Sequence, residues 1–380
     1  MLGVTLAGGG ARGAYIAGVL RYIYTELPKK LGYKPWPDLV SGVSVGVING
    51  YFIASHSDYE IQRMTELWTQ VEIQKVYKLP VGPISFLRNL FQVSRRASML
   101  DATPLSNMVH KEASRRGLRH GIHPDRCKAF LVATTELHSS RNIIFADTIP
   151  DFPVPSPSGG SVVRTKIYPE HILASGAIPL IFPPIQIKDT FYFDGGLRQY
   201  TPLSPLIHMG ANKILILGTR SKEEEDPPSL DSPVNLSSVG SYALNAMSLD
   251  FVERDLNFTK RMNQIINWGV EKYGEEFADS LRGDLNIRNL KPLHLRPSIN
   301  LGKLAQQEFN ASKIKADYNT RWLLSWLHET KKTFYGDYSL SFLLFDPIYT
   351  CAAEQLGFED TQKREDELLQ FFTQPSWQES

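Results

Sequence analysis

The sequence predicts an α/β fold in which a mostly parallel sheet is sandwiched by helices. Three observations carry that expectation. Residues 2–7, 38–40 and 190–193 are short apolar or aromatic runs with strand character, each leads into a glycine-bearing turn, and the first two turns open into segments with helical apolar spacing. Strand, turn and helix in alternation is the pattern of parallel strands joined by crossover helices.

The first turn is Gly8-Gly9-Gly10-Ala11-Arg12-Gly13, and apolar residues recur after it at Tyr15, Ile16, Val19, Leu20, Ile23 and Leu27. A glycine loop at a helix start leaves backbone N–H groups aimed at one place, which suits either a phosphate or the oxyanion of a tetrahedral acyl intermediate. Gly8, Gly10 and Gly13 also satisfy the dinucleotide fingerprint of a Rossmann oxidoreductase. That fingerprint wants an acidic residue about 20 positions on, at the end of the next strand. Glu26 falls inside the first helix and Asp38 stands before the second strand, so the dinucleotide reading lacks its context.

The second turn is Gly42-Val43-Ser44-Val45-Gly46. A serine bracketed by glycines between a strand and a helix is how a chain exposes a nucleophilic hydroxyl on a sharp elbow. Residues 45–54 continue as the helix and leave Ser44 at its N-terminal end, where an anion is favoured. The competing reading is a small-residue turn in an apolar core. The third turn, Asp194-Gly195-Gly196, follows Thr190-Phe191-Tyr192-Phe193 and puts a carboxylate at a strand end where other groups can approach closely. Alone it reads as an ordinary turn; beside a serine it is a candidate base.

With these three motifs in this order, the chain resembles the patatin-like phospholipase family: GGGARG matches its oxyanion loop, GVSVG its elbow and DGG its aspartate element. Further stretches are similar to that family as well: Ala174-Ser175-Gly176-Ala177-Ile178-Pro179 with Phe182-Pro183-Pro184, Val132-Ala133-Thr134-Thr135, and Ser98-Met99-Leu100-Asp101 before Pro104-Leu105. The resemblance covers residues 1–220. It implies a three-layer sandwich and a lipid acyl hydrolase with a Ser-Asp dyad, Ser44 as nucleophile and Asp194 as base. It also implies that Gly9 and Gly10 line the oxyanion hole while Gly8 and Gly13 shape it.

The nearest enzymatic rival is an α/β-hydrolase, which would use the same elbow with serine, acid and histidine in that chain order. His208, at the end of a short helix, and His294, in a strand-like run, are its candidates among nine histidines. Only one strand and one helix precede the elbow here, against several strands in that fold as the family comparison implies. A rival of another class is a noncatalytic lipid-binding or scaffold protein on the same fold.

A length of 380 residues, 42% hydrophobic and 21% charged, with a net charge of +1, is that of a globular chain with a large core and argues against nucleic acid as a partner. Cys127 and Cys351 give neither a disulfide framework nor a metal cluster, so no metal or cofactor is expected and a reducing, cytoplasmic compartment fits. No secretory signal is read at the start. The uncharged stretch 39–57 has the length of a membrane span, but its glycines, serines and Asn49 fit a buried strand, elbow and helix better.

Along the remainder, 58–71 reads as a helix, Thr103-Pro104 as a helix start, 128–135, 142–146 and 213–218 as strands, and 150–160 as a loop. Residues 75–96 interleave Lys75, Lys78, Arg88, Arg95 and Arg96 with Val76, Tyr77, Phe86 and Phe91, which reads either as a peripheral membrane contact or as a helical cap over the site. A charged linker at 221–228 divides a catalytic domain, 1–220, from a largely helical extension, 221–380. In that extension 236–281 and 312–331 read as helical and 293–297 as an extra strand. The expected partner is an acyl lipid substrate; neither the acyl position nor the oligomeric state is legible.

Overall fold

The computed structural model describes residues 1–79, 98–113, 121–154, 160–199, 201–222, 252–329 and 336–374. Strand β1 (Leu2–Leu6) leads through the glycine loop into α1 (Gly13–Thr25), which is buried everywhere except at Arg21 and Thr25. Next come α2 (Pro28–Leu31), β2 (Leu39–Gly42), α3 (Val45–Ala54), α4 (Asp58–Thr69) and α5 (Thr103–Ala113). The middle of the chain forms β3 (Ala129–Glu136), β4 (Asn142–Thr148), β5 (Gly160–Arg164), α6 (Pro169–Ser175), β6 (Ile185–Ile187), β7 (Thr190–Asp194), α7 (Ser204–His208) and β8 (Lys213–Leu217). The C-terminal part contributes α8 (Val252–Tyr273), α9 (Glu275–Leu285), β9 (Lys291–Leu295), α10 (Leu301–Glu308), α11 (Tyr318–Glu329), α12 (Gly336–Leu343), α13 (Pro347–Lys363) and α14 (Glu365–Thr373).

The strands form one sheet in the order β5-β4-β3-β2-β1-β8-β9, with β7 also on β3 and β6 on β7. From β3 through β2, β1 and β8 to β9 every pairing is parallel, while β4 and β7 run antiparallel to β3. Strands buried on both faces need apolar residues at successive positions, and the core divides accordingly. Val40, Phe130, Val132, Leu215 and Leu217 pack with α1, α3 and α4 on one face. Leu39, Leu131, Ile214 and Ile216 pack with Leu206 of α7 and Val252 and Leu256 of α8 on the other. The expected α/β sandwich, helices on both faces of a mostly parallel sheet, is the fold observed.

A strand has two edges, and on β3 one is occupied along its length by β4. The other edge is shared. β2 pairs with it as far as Gly42 opposite Val132, and β7 takes over with Asp194 opposite Thr134 and runs the other way. The carboxyl ends of β2 and β7 therefore meet head to head.

The sequence expectations at 2–7, 38–40, 128–135, 142–146, 190–193 and 213–218 fall on β1, β2, β3, β4, β7 and β8, and the extra strand at 293–297 is β9, placed at 291–295. The described part of the helical stretch 236–281 is α8 and the first turns of α9, broken at Gly274 with φ 85°. Residues 80–97 and 223–251 lie outside the described residues, so the membrane or cap segment is seen only at 75–79, where Val76, Tyr77 and Leu79 are buried.

Among the elements without a sequence expectation, α13 is the most consequential, because it covers the outer side of α1. The contact is intimate: a Cβ at Gly357 would sit 2.0 Å from the Tyr15 carbonyl oxygen. Its buried side includes Thr350, Glu354, Asp360 and Thr361, so no apolar stripe marks it in the sequence. Thr350 and Thr361 bond carbonyls of their own helix and its N-cap, to Asp346 O at 3.1 Å and Gly357 O at 2.6 Å, while Glu354 and Asp360 take donors from other elements. Arg21 Nε donates to Glu354 at 2.5 Å, and the Ser298 N–H donates to Asp360 at 2.8 Å.

Candidate active site

Ser44 stands between β2 and α3 with φ 54° and ψ −130°, a backbone that a residue with a Cβ rarely adopts and that stores strain. The turn is possible because its neighbours are small. A Cβ at Gly46 would lie 2.3 Å from the Leu6 carbonyl oxygen, so only glycine lets the elbow press against the end of β1. Gly42 is likewise closed in by the Gly46 backbone. Ser44 is 6% exposed, and its N–H donates to Ser175 Oγ at 2.9 Å.

Asp194 ends β7 and reaches Ser44 through the head-to-head meeting of the two strands. Its carboxylate accepts the Gly196 N–H at 2.7 Å, and the Ser44 side chain lies near enough to act on its charge. Burial pushes its pKa up to about 7, and those two groups pull in the opposite direction. Its backbone is held too: the Asp194 N–H donates to Ala177 O at 3.0 Å and Thr135 Oγ1 donates to Asp194 O at 3.0 Å. Gly195 packs directly on the Ala133 carbonyl of β3.

The glycine loop turns on Gly10, whose φ of 57° favours glycine and whose Cα faces the Phe342 carbonyl so closely that a Cβ would lie 2.3 Å from its oxygen. Around it, Gly8 O accepts from Thr219 Oγ1 at 2.6 Å and Gly9 O from the Arg12 N–H at 3.2 Å. Gly13 O accepts from Asn49 Nδ2 at 2.9 Å, and Asn49 Oδ1 accepts from Trp68 Nε1 at 2.7 Å. Gly8, Gly9, Gly10 and Gly13 thus form a braced turn between β1 and α1, beside the elbow.

Ser44 and Gly10 open into one cavity whose other lining is apolar. Ile48 and Phe52 of α3, Leu67 and Trp68 of α4, and Leu105, Met108 and Val109 of α5 form part of its wall. Ile172 and Leu173 of α6, Ile178 and Phe182 form another part, and Phe342, Leu343 and Phe345 close it from the C-terminal third. No histidine is among the described residues lining it. His208 is exposed and bonded to Ser204 O of its own helix at 2.7 Å, and His294 lies in β9. No cluster of three or more His, Cys, Asp or Glu that could hold a metal occurs among the described residues, nor any helix long and apolar enough to cross a membrane.

Sequence reasoning missed several contributors. Arg12 reads as a loop charge, yet it is fully buried, with Nε donating to Ser341 Oγ at 2.8 Å and its guanidinium 5.4 Å from the Phe342 ring. Phe345 stacks on Trp68 at 6.2 Å, and Tyr77 donates to Leu343 O at 2.8 Å. These contacts span more than 260 residues of chain, and no local signal announces them.

The model of the patatin-like phospholipase family matches residues 4–207. The chain belongs to that family of lipid acyl hydrolases. No curated protein sequence matches it. Among solved structures, VipD from Legionella pneumophila is similar, with a TM-score of 0.38 and 12% identity over 96% of this chain and 66% of that one. This chain therefore spans 66% of the length of that protein.

Proposed function

We propose that this protein is a serine acyl hydrolase of lipid esters in which Ser44 is the nucleophile and Asp194 the base. The observation that carries the reading is a strained, buried serine that lines an apolar cavity and has a buried carboxylate beside it. A base works best when its pKa lies near the operating pH, and Asp194 is pushed up to about 7. It takes the Ser44 hydroxyl proton as the oxygen attacks an ester carbonyl, and N–H groups of Gly9 and Gly10 receive the developing oxyanion. The proton passes to the departing alcohol, leaving an acyl-enzyme. Water, deprotonated by Asp194, then attacks the acyl carbonyl, and the fatty acid leaves as Ser44 regains its proton. The apolar wall excludes water from all but the reacting end and accepts the acyl chain.

In this reading residues 1–220 supply the chemistry and residues 221–380 complete the pocket through Phe342, Leu343 and Phe345. The substrate is drawn from a lipid surface that the protein touches peripherally, and the two free cysteines, Cys127 and Cys351, suit a cytoplasmic setting. A noncatalytic lipid carrier would need the same cavity but not the strain at Ser44, which favours the catalytic reading. The test is a panel of phospholipid, lysophospholipid and neutral esters assayed with wild type and Ser44→Ala, together with labelling by a serine-reactive phosphonate. Turnover and labelling in wild type alone support the proposal; hydrolysis or labelling that persists in Ser44→Ala overturns it.

A further inference from the structure

We propose that Ser175 is a positioning residue, a hydroxyl that fixes the elbow so that Ser44 points its own hydroxyl at Asp194. The inference rests on the acyl-hydrolase reading and concerns a side chain that neither attacks substrate nor lines the cavity. Ser175 ends α6, is fully buried, and makes two hydrogen bonds. Its Oγ donates to Ala133 O of β3 at 2.6 Å and accepts the Ser44 N–H at 2.9 Å. A hydroxyl has one proton to give. With that proton committed to β3, a lone pair is held toward Ser44, and the elbow is tied to the same strand that carries the end of β7.

The tie is two-sided. Ala177, two residues beyond Ser175, accepts the Asp194 N–H at 3.0 Å, and Thr135, two residues beyond Ala133, donates its hydroxyl to Asp194 O at 3.0 Å. Two short segments, 133–135 and 175–177, therefore grip the backbones of both reacting residues. Ser44 sits at φ 54°, where the backbone relaxes unless its surroundings hold it. The Ser44 N–H is the group through which Ser175 holds it. Without that acceptor the N–H is buried and unmatched, and the elbow is free to turn its hydroxyl away from the carboxylate. Misplacement of a reacting group by about 1 Å costs up to 10²-fold in rate.

A double-mutant cycle on a soluble ester distinguishes positioning from mere structural support, using wild type, Ser175→Ala, Asp194→Asn and the double variant. Positioning predicts that Ser175→Ala lowers kcat by at least about tenfold with KM changed less than about twofold, and that the same change costs less than about threefold when Asp194 is already Asn, because the proton acceptor is gone. The acid limb of the kcat/KM profile should also move to higher pH in Ser175→Ala, since the Ser44 hydroxyl no longer pulls against the burial of Asp194. Wild-type kcat in Ser175→Ala, an equal fold-loss in both backgrounds, or an unmoved acid limb overturns the proposal. If the alanine variant does not fold, Ser175→Cys, similar in shape with a weakly accepting sulfur, carries the same cycle, and wild-type kcat there also overturns it. Failure of the acyl-hydrolase reading shows separately, as full turnover by Ser44→Ala.

Discussion

Asp194 at the end of β7 and His294 in the edge strand β9 are both ionisable groups withdrawn from water in the same sheet, and their surroundings treat them differently. Asp194 accepts the Gly196 N–H and has the Ser44 side chain beside it, both favouring its charged form, and its pKa settles at about 7. Among the described residues, neither ring nitrogen of His294 has a hydrogen-bond partner, and Glu253 lies 3.6 Å from Nδ1, beyond hydrogen-bonding reach. Burial, with Arg296 and Arg364 adding to it, pushes His294 down to about 3, so the ring is neutral at physiological pH. Burial alone does not make a group functional. What separates the two is whether polar partners converge on the group from elements that also bring a reaction partner, as β2 and β7 do and β9 does not.

The largest effect that tests this contrast is expected from Asp194→Asn, which should lower kcat by at least about 10² through loss of the base. The same variant should be more stable. With the folded pKa raised, the native state holds its proton while the unfolded chain has lost it, so stability falls as pH rises from about 4 to about 7 and the full cost stands above that range. Thermal or urea unfolding at pH 8 should show Asp194→Asn gaining about 2–4 kcal/mol, with a smaller gain at pH 5. A less stable, fully active variant would reverse the interpretation of β7.

Next in size is the pH profile of the wild type. Below about pH 7 the rate should fall about tenfold per unit as Asp194 takes up its proton; a flat profile down to pH 5 would remove it as the base. A smaller effect is expected from the cavity wall that neither strand end supplies. Phe345→Ala should destabilise by about 3 kcal/mol and raise relative turnover of longer or bulkier acyl esters, measured as kcat/KM across a chain-length series; proportional loss on every ester would mean that Phe345 only supports the fold. The smallest effect belongs to β9. His294→Leu should keep kcat within about twofold and leave stability unchanged or raised by about 1 kcal/mol, because an unmatched polar ring gives way to an apolar side chain. Loss of activity comparable to Asp194→Asn would restore a histidine to the mechanism.

Legibility in the sequence followed locality. The glycine loop, the elbow and the Asp-Gly-Gly turn are each written in contiguous residues, since a sharp turn requires particular residue types at particular offsets. Gly46 against Leu6 O and Ser44 at positive φ are what that spelling looks like once folded. α13 was not legible because its partner is α1, more than 300 residues away, and the two bury Glu354 and Asp360 against Arg21 and Tyr15 rather than an apolar stripe. Ser175 lies in a stretch whose local sequence marks only the family resemblance, and nothing in that stretch names the Ser44 N–H as its donor.

The sequence by itself determined the α/β class, the order of the three turns and the residue types able to form a nucleophile, a base and a cradle of backbone donors, because strand and helix periods and turn chemistry are local properties of the chain. Only the tertiary structure decided that Ser44 and Asp194 meet, since that depends on β2 and β7 sharing one edge of β3 and ending head to head. It also decided that Phe342 and Phe345 close the cavity and that Arg12 is buried against Ser341. Those contacts join segments hundreds of residues apart, and the burial that raises Asp194 to about 7 belongs to the packed whole, not to any segment of it.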